Sequence, residues 1–342
     1  MLYHLGATRR LLECGLLAKI DRVSSVSGGS ITAAVLGAHW EHLKPDEPDA
    51  IERFDVVERP LFDLAGRTID WTGAAGGLAR GRSAGEGVAR LYDRHLLDGR
   101  TLQDLPDTPR FIFNSTNMQT GNLFRWSKPY AADHGLGRID SPKTALALVL
   151  AASSAFPPFL SPVKIKVPGD LLAHNTGKPI DDPPGSLWLA DGGVYDNLGL
   201  QPLERFGTVY ASDGGGRLDT SKRLRLNWLS QSVRTTLVID SQVRRLRQRG
   251  LVRDFQSGAR TGTLWTIATR FDDYPAASKL RCPTTATASL ARVGTRLAPL
   301  STEVRYRLMN WGYASADAAI RSFVDKTISP PEAFPYPGGV GE

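Results

Sequence analysis

The sequence predicts an α/β fold from three observations: helical and strand-like segments alternate along most of its 342 residues, the strand-like runs are short and apolar, and no repeat of about 20 to 50 residues recurs. That alternation favours a sheet with helices packed on it over a helix bundle or a sandwich. Its 41% hydrophobic and 23% charged residues are ordinary globular usage, and no apolar run reaches the roughly 18 residues that span a bilayer.

Taken in order, "LGATRRLLEC" spaces Leu5, Leu11 and Leu12 as a helix, with Gly15 behind it as a C-terminal cap. "LLAKIDRVSSV" then leads into a short β-rich segment. After Gly28 and Gly29, "SITAAVLGAHWEHL" resumes helical character, with Ser30 as N-cap and small residues that permit close packing on a sheet. Residues 44–109 read as polar, mostly helical with loops. Residues 110–127 read as two strands joined near Gly121. "SPKTALALVLAASSAF" is an apolar helix, with Ser141 as N-cap, Pro142 at its first position, and Pro157 and Pro158 as its stop. Strands follow at "LWLADG" and "TVYASDG" and, after a basic helix from about Gln231, at "GTLWTIATRF". The Pro- and Gly-rich "SPPEAFPYPGGVGE" reads as a frayed tail.

Cys14 and Cys282 are far apart, giving neither a disulfide framework nor metal-ligand spacing, and "MLYHLGATRRLLECGLL" has no secretory pattern. The expected setting is cytosolic and reduced. Net charge is +7. The densest basic run, Arg244, Arg245, Arg247 and Arg249 in "RRLRQRG", carries no interleaved aromatics to stack on bases. A solvated helix face is its first reading, contact with lipid headgroups at a membrane surface its second, and nucleic acid is not expected.

Chemistry concentrates in two places. "VSSVSGGS" follows a short apolar run with small residues, so Ser27 is either part of a glycine-rich turn or a nucleophile on a strand-to-helix elbow. The elbow would comprise Ser25, Val26, Ser27, Gly28 and Gly29, with serine at the first position of G-x-S-x-G. A serine hydroxyl needs a base in reach, and none of the six histidines follows position 174, so the Ser, acid, His order cannot be built with the late acids. Instead "LADGGVYDNLGL" places Asp191 at a strand end before Gly192 and Gly193, where a carboxylate can approach a serine directly; Asp-Gly-Gly is equally ordinary turn chemistry. His39 and His42 in "HWEH" suggest no third metal ligand and read as helix-surface histidines. Gly214, Gly215 and Gly216 lack a phosphate-binding fingerprint.

"LYHLGATRRLLECGLLAKIDRVSSVSGGSITAAVL", "FNSTNMQTGNLFRW", "AASSAFPPFLSPV", "LADGGVYDNLGL" and "LMNWGYASAD" together resemble the patatin-like phospholipase family, in order and spacing, over roughly residues 2–320. The resemblance implies a three-layer α/β/α sandwich around a central mixed, mostly parallel sheet, forming one hydrolase domain over 1–328 with a tail at 329–342. It implies hydrolysis of lipid acyl esters through an acyl-enzyme, with Ser27 as nucleophile, Asp191 as general base, the Gly28 N–H as an oxyanion donor, and no metal or cofactor. "AASSAFPP" resembles the family segment beside the dyad, with no catalytic role for Ser153 or Ser154. Asp213 in "ASDGGG" is the second choice of aspartate. The expected partners are a lipid or acyl-ester substrate and, peripherally, the inner membrane surface.

The family's G-G-G-x-R/K-G oxyanion loop and the strand before it would precede Met1. A start assigned too late is the preferred explanation; the rival is a module that keeps the fold, binds lipid or a partner, and has lost its chemistry. One lost oxyanion donor typically costs about 100-fold to 1,000-fold in turnover.

Overall fold

The computed structural model describes residues 1–67, 84–157, 161–167, 169–174, 176–216, 227–294 and 299–342. These fall in two compact units, one of Lys19–Leu64 and Ile69–Glu204, the other of Met1–Ala18, Ala65–Thr68 and Arg205–Glu342. The helices are α1 (Leu2–Glu13), α2 (Gly28–Ala38), α3 (Asp55–Gly66), α4 (Ala84–Tyr92), α5 (Leu146–Ser153), α6 (Trp228–Gln256), α7 (Thr284–Leu290) and α8 (Thr302–Phe323), besides short turns. The strands are β1 (Arg22–Ser25), β2 (Arg110–Asn117), β3 (Leu123–Trp126), β4 (Tyr130–Asp133), β5 (Gly137–Asp140), β6 (Val163–Lys166), β7 (Ser186–Asp191), β8 (Thr208–Asp213) and β9 (Thr261–Thr266).

The sheet overturns the expectation of a central, mostly parallel one. The first unit holds a seven-stranded sheet in the order β5-β4-β3-β2-β7-β6, with β1 beside β2. Among the described residues β1–β2 is its one parallel pairing, and every other pair is antiparallel. A separate parallel pair, β8–β9, belongs to the second unit. Connection length accounts for the run from β2 to β5. A parallel neighbour needs a crossover of about a dozen residues or more, whereas β2, β3, β4 and β5 follow one another through tight turns, the first carrying Gly121 at φ 73. Each turn reverses the chain.

Helix α5, apolar on every side, is buried except for half-buried Leu148 and packs against β2, β6 and β7. Its Leu146, Val149 and Leu150 are fully enclosed, each worth roughly 1.5–3 kcal/mol over exposure. It starts four residues later than Pro142 suggests, because Ala145 is drawn into an isolated bridge with Thr101 and Leu146 N–H donates to the Arg100 carbonyl. Ser141 instead occupies a left-handed turn at φ 44. The helix ends at Ser153, ahead of Pro157, where Ser154 Oγ donates back to the Leu150 carbonyl at 2.7 Å; Pro158 lies outside the described residues.

In the second unit α1 packs on α8 at the closest range a backbone permits. A Cβ at Gly6 would run into the Met309 carbonyl and one at Gly312 into that of Tyr3. Asp317, 1% exposed, is held between Arg10 and Arg321. The C-terminal stretch is not frayed: Asn310 Nδ2 donates to the carbonyls of Tyr336 and Gly339, Tyr306 stacks on Tyr336 with centroids 4.1 Å apart, and Val340 is buried.

Candidate active site

Strand pairing determines which residues meet. Phe113 pairs with Ser25 of β1 and with Trp126 of β3, so β1 and β3 flank opposite edges of β2. Ser115 pairs with Phe124 of β3 and with Asp191 of β7, so β7 shares the edge that β1 occupies. One strand runs parallel to β2 and the other antiparallel, so their C-terminal ends converge. Ser25 and Asp191 therefore face positions only two residues apart on β2.

Beyond Ser25 the chain turns sharply. Ser27 has φ 52 and ψ −127, a conformation that costs an L-residue on the order of 1–3 kcal/mol, and α2 begins at the next residue. The turn is closed by Gly29 N–H on the Val26 carbonyl and Ser30 N–H on the Ser27 carbonyl, each at 2.9 Å. The Ser27 hydroxyl makes no capping bond to the helix. Among the described residues the Gly28 N–H also enters no hydrogen bond, which leaves a donor at the positive end of α2. Ser30 is not the N-cap. It lies inside α2, where its Oγ meets Ser25 Oγ at 3.1 Å and Ser153 Oγ at 2.8 Å.

Asp191 ends β7 and is 1% exposed. Its Oδ1 accepts the Gly193 N–H at 2.7 Å and its carbonyl accepts the Thr116 hydroxyl at 2.8 Å. Burial pushes the neighbouring Tyr92 phenol up to about 12, a hydrogen bond to Ser154 opposes the shift, and the charge on Asp191 adds to it. Contact requires a glycine at 192 and leaves little room at 193. A Cβ on Gly192 would strike the Asn114 carbonyl, and one on Gly193 would stand 3.0 Å from Asp191 Oδ1 and 3.8 Å from Val26 Cγ1.

The end of α5 ties the two strand ends together: the Ser153 carbonyl accepts the Ser27 N–H at 3.0 Å and the Ala155 carbonyl accepts the Asp191 N–H at 2.9 Å. Among the described residues no hydrogen bond runs from the Ser27 hydroxyl to the Asp191 carboxylate.

Asp213 is engaged elsewhere. Within the second unit its carboxylate accepts Gly215 N–H at 2.8 Å and Gln248 Nε2 at 2.5 Å; burial raises its pKa and Arg244 opposes the rise. His39 terminates α2 and His42 lies in the next short turn. Among the described residues no group of three or more His, Cys, Asp or Glu is placed to hold a metal ion.

Of the polar supports, the sequence singled out only Ser153, within the segment beside the dyad and with no catalytic role. Asn114 Nδ2 donates to Ser24 Oγ and to the Ser25 carbonyl, both at 2.9 Å, and Ser153 Oγ donates to the Asn114 carbonyl at 2.7 Å. Ser24 Oγ donates to the Gly199 carbonyl at 2.7 Å, and Asp196 Oδ2 accepts Gln201 N–H at 2.8 Å, folding the segment after β7 against β1. Asn114 stands in "FNST" and Ser153 in "AASS", each directly after an apolar run, so the first polar residue past the run is the signal that marks them.

A family model described as Patatin-like phospholipase matches residues 1–203. No curated protein matches the chain.

Proposed function

This chain belongs to the patatin-like phospholipase family, and from that premise we propose that it hydrolyses acyl esters of lipids, with Ser27 as nucleophile and Asp191 as general base. The observation that carries the assignment is the convergence of β1 and β7 on one edge of β2, which delivers the strained serine and the buried aspartate to adjoining strand ends.

In the reaction Asp191 takes the Ser27 hydroxyl proton as Oγ bonds to the ester carbonyl carbon. The oxyanion of the tetrahedral intermediate accepts the Gly28 N–H and is stabilised by the α2 dipole. Collapse breaks the ester bond; the alcohol leaves with the proton from Asp191 and the acyl group stays on Ser27. Water, deprotonated by the same carboxylate, attacks the acyl-enzyme, and the fatty acid departs as Ser27 regains its proton. The Asn114 amide on the Ser25 carbonyl holds the end of β1, and the Thr116 hydroxyl on the Asp191 carbonyl holds the end of β7, throughout.

Hydrolysis of a chromogenic short-chain ester tests the roles. Ser27→Ala and Asp191→Asn are each expected to lose about a million-fold in kcat, while Asp213→Asn stays active. Substantial activity in either of the first two variants means that the dyad is wrong.

A further inference from the structure

The basic run foreseen around Arg244 lies on α6, and only part of it faces outward. Arg244 turns in, donating to Asp240 Oδ2 at 2.7 Å and to the Gly216 carbonyl at 3.2 Å. Arg245, Arg249 and Arg253 recur every four residues on the exposed side, and among the described residues none of the three is in an ion pair. Val238, Ile239, Leu246 and Val252 are exposed along the same helix, at 46%, 55%, 56% and 38%. With Trp228 at the start of the helix, α6 supplies five of the nine exposed large apolar side chains among the described residues. Its two acidic residues lie off this face: Asp240 pairs with Arg244, and Asp254 approaches Arg260 at 3.6 Å. A shallow groove beside the face is lined by Arg249, Val252, Arg253 and Leu264.

A solvated helix face has no reason to interleave apolar residues with arginine and to exclude acids from the same side. An anionic lipid surface asks for that combination: arginines meet headgroup phosphates while valine, isoleucine and leucine enter the acyl boundary. At 29 residues the helix is long enough to lie along a surface, and no described helix is long and apolar enough to cross a membrane. A nucleic acid would leave the apolar residues without a partner, since the stretch from Arg234 to Arg253 has no aromatic side chain to stack on bases.

We propose that the outer face of α6 is an interfacial docking surface for anionic phospholipid bilayers. The choice of lipid as occupant rests on the hydrolase reading above, and α6 would bring the enzyme to the surface that holds its substrate.

The test is co-sedimentation of the full chain, carrying Ser27→Ala so that vesicles stay intact, with vesicles of phosphatidylcholine alone or mixed with phosphatidylglycerol. Binding is expected to the mixed vesicles, to be much weaker to neutral ones, and to fall with salt. Replacing Arg245, Arg249 and Arg253 by Gln should weaken it about 100-fold, and Leu246→Glu about tenfold. Arg59→Gln, an exposed position on α3, should leave it unchanged. Absence of binding, equal binding to both vesicle types, or binding indifferent to the α6 substitutions overturns the proposal. So does salt-labile binding of duplex DNA that the same substitutions abolish while vesicles are ignored. Hydrolysis of a soluble short ester by the α6 variants with Ser27 intact should match that of the unsubstituted chain. Because docking is read by sedimentation, loss of the hydrolase reading and loss of the docking reading give different results.

Discussion

The Ser153 carbonyl accepts the Ser27 N–H at 3.0 Å, so the end of α5 grips the elbow through the backbone of Ser27. Two residues further on, the Ala155 carbonyl holds the Asp191 N–H at 2.9 Å. One short strip of chain therefore sets both members of the proposed dyad, and small changes there should alter activity more than stability.

Gly193→Ala adds a methyl 3.0 Å from Asp191 Oδ1, where a carboxylate can rotate away. Esterase activity is expected to fall at least tenfold, with little change in melting temperature. Gly192→Ala drives its methyl into the Asn114 carbonyl, which is backbone and cannot yield, so it should destabilise by about 1–3 kcal/mol. Thermal melts and rates on both variants check the contrast; equal stability losses contradict it.

Ser27→Gly separates strain from chemistry. Relief of about 1–3 kcal/mol of backbone strain outweighs the roughly 0.4–1 kcal/mol of extra chain entropy that glycine gains when unfolded. The variant should be inactive, with a melting temperature no lower than that of the parent. A melting temperature several degrees lower contradicts the strained elbow.

The His4 ring lies against Gly214, with Nδ1 2.8 Å from Ser212 Oγ, and desolvation lowers its pKa from 6.5 to about 3. Above pH 6.5 the ring is neutral whether the chain is folded or not, and its contribution to stability is complete. As the pH falls from there toward 3 the unfolded chain takes up the proton first, and stability is lost at up to about 1.4 kcal/mol per pH unit. Urea titrations between pH 7 and pH 4 should show a shallower decline for His4→Gln than for the parent; parallel curves contradict the assignment.

Much of the site lay open in the sequence because its signals are local. The apolar run into small residues marks β1, the elbow and α2; Gly121 marks the β2–β3 turn; and Gly15, at φ 65 with Leu16 N–H on the Leu11 carbonyl, closes α1. What stayed hidden depends on distant partners. β5 and β6 alternate buried and exposed residues, but over four residues each, too few for a period to register. The start of α5 follows from a bridge to Thr101, and the order of the C-terminal stretch from the buried Asn310 amide and the Tyr306–Tyr336 stack. The antiparallel pairing of β7 with β2 joins strands far apart in the chain, which composition does not reveal.

Covalent labelling by a fluorophosphonate bears most directly on the assignment of Ser27 and Asp191. Peptide mass spectrometry of the labelled, folded chain should place one adduct on Ser27, with none in Ser27→Ala and much slower labelling in Asp191→Asn. A folded chain that takes no label, or takes it at another serine, contradicts the dyad.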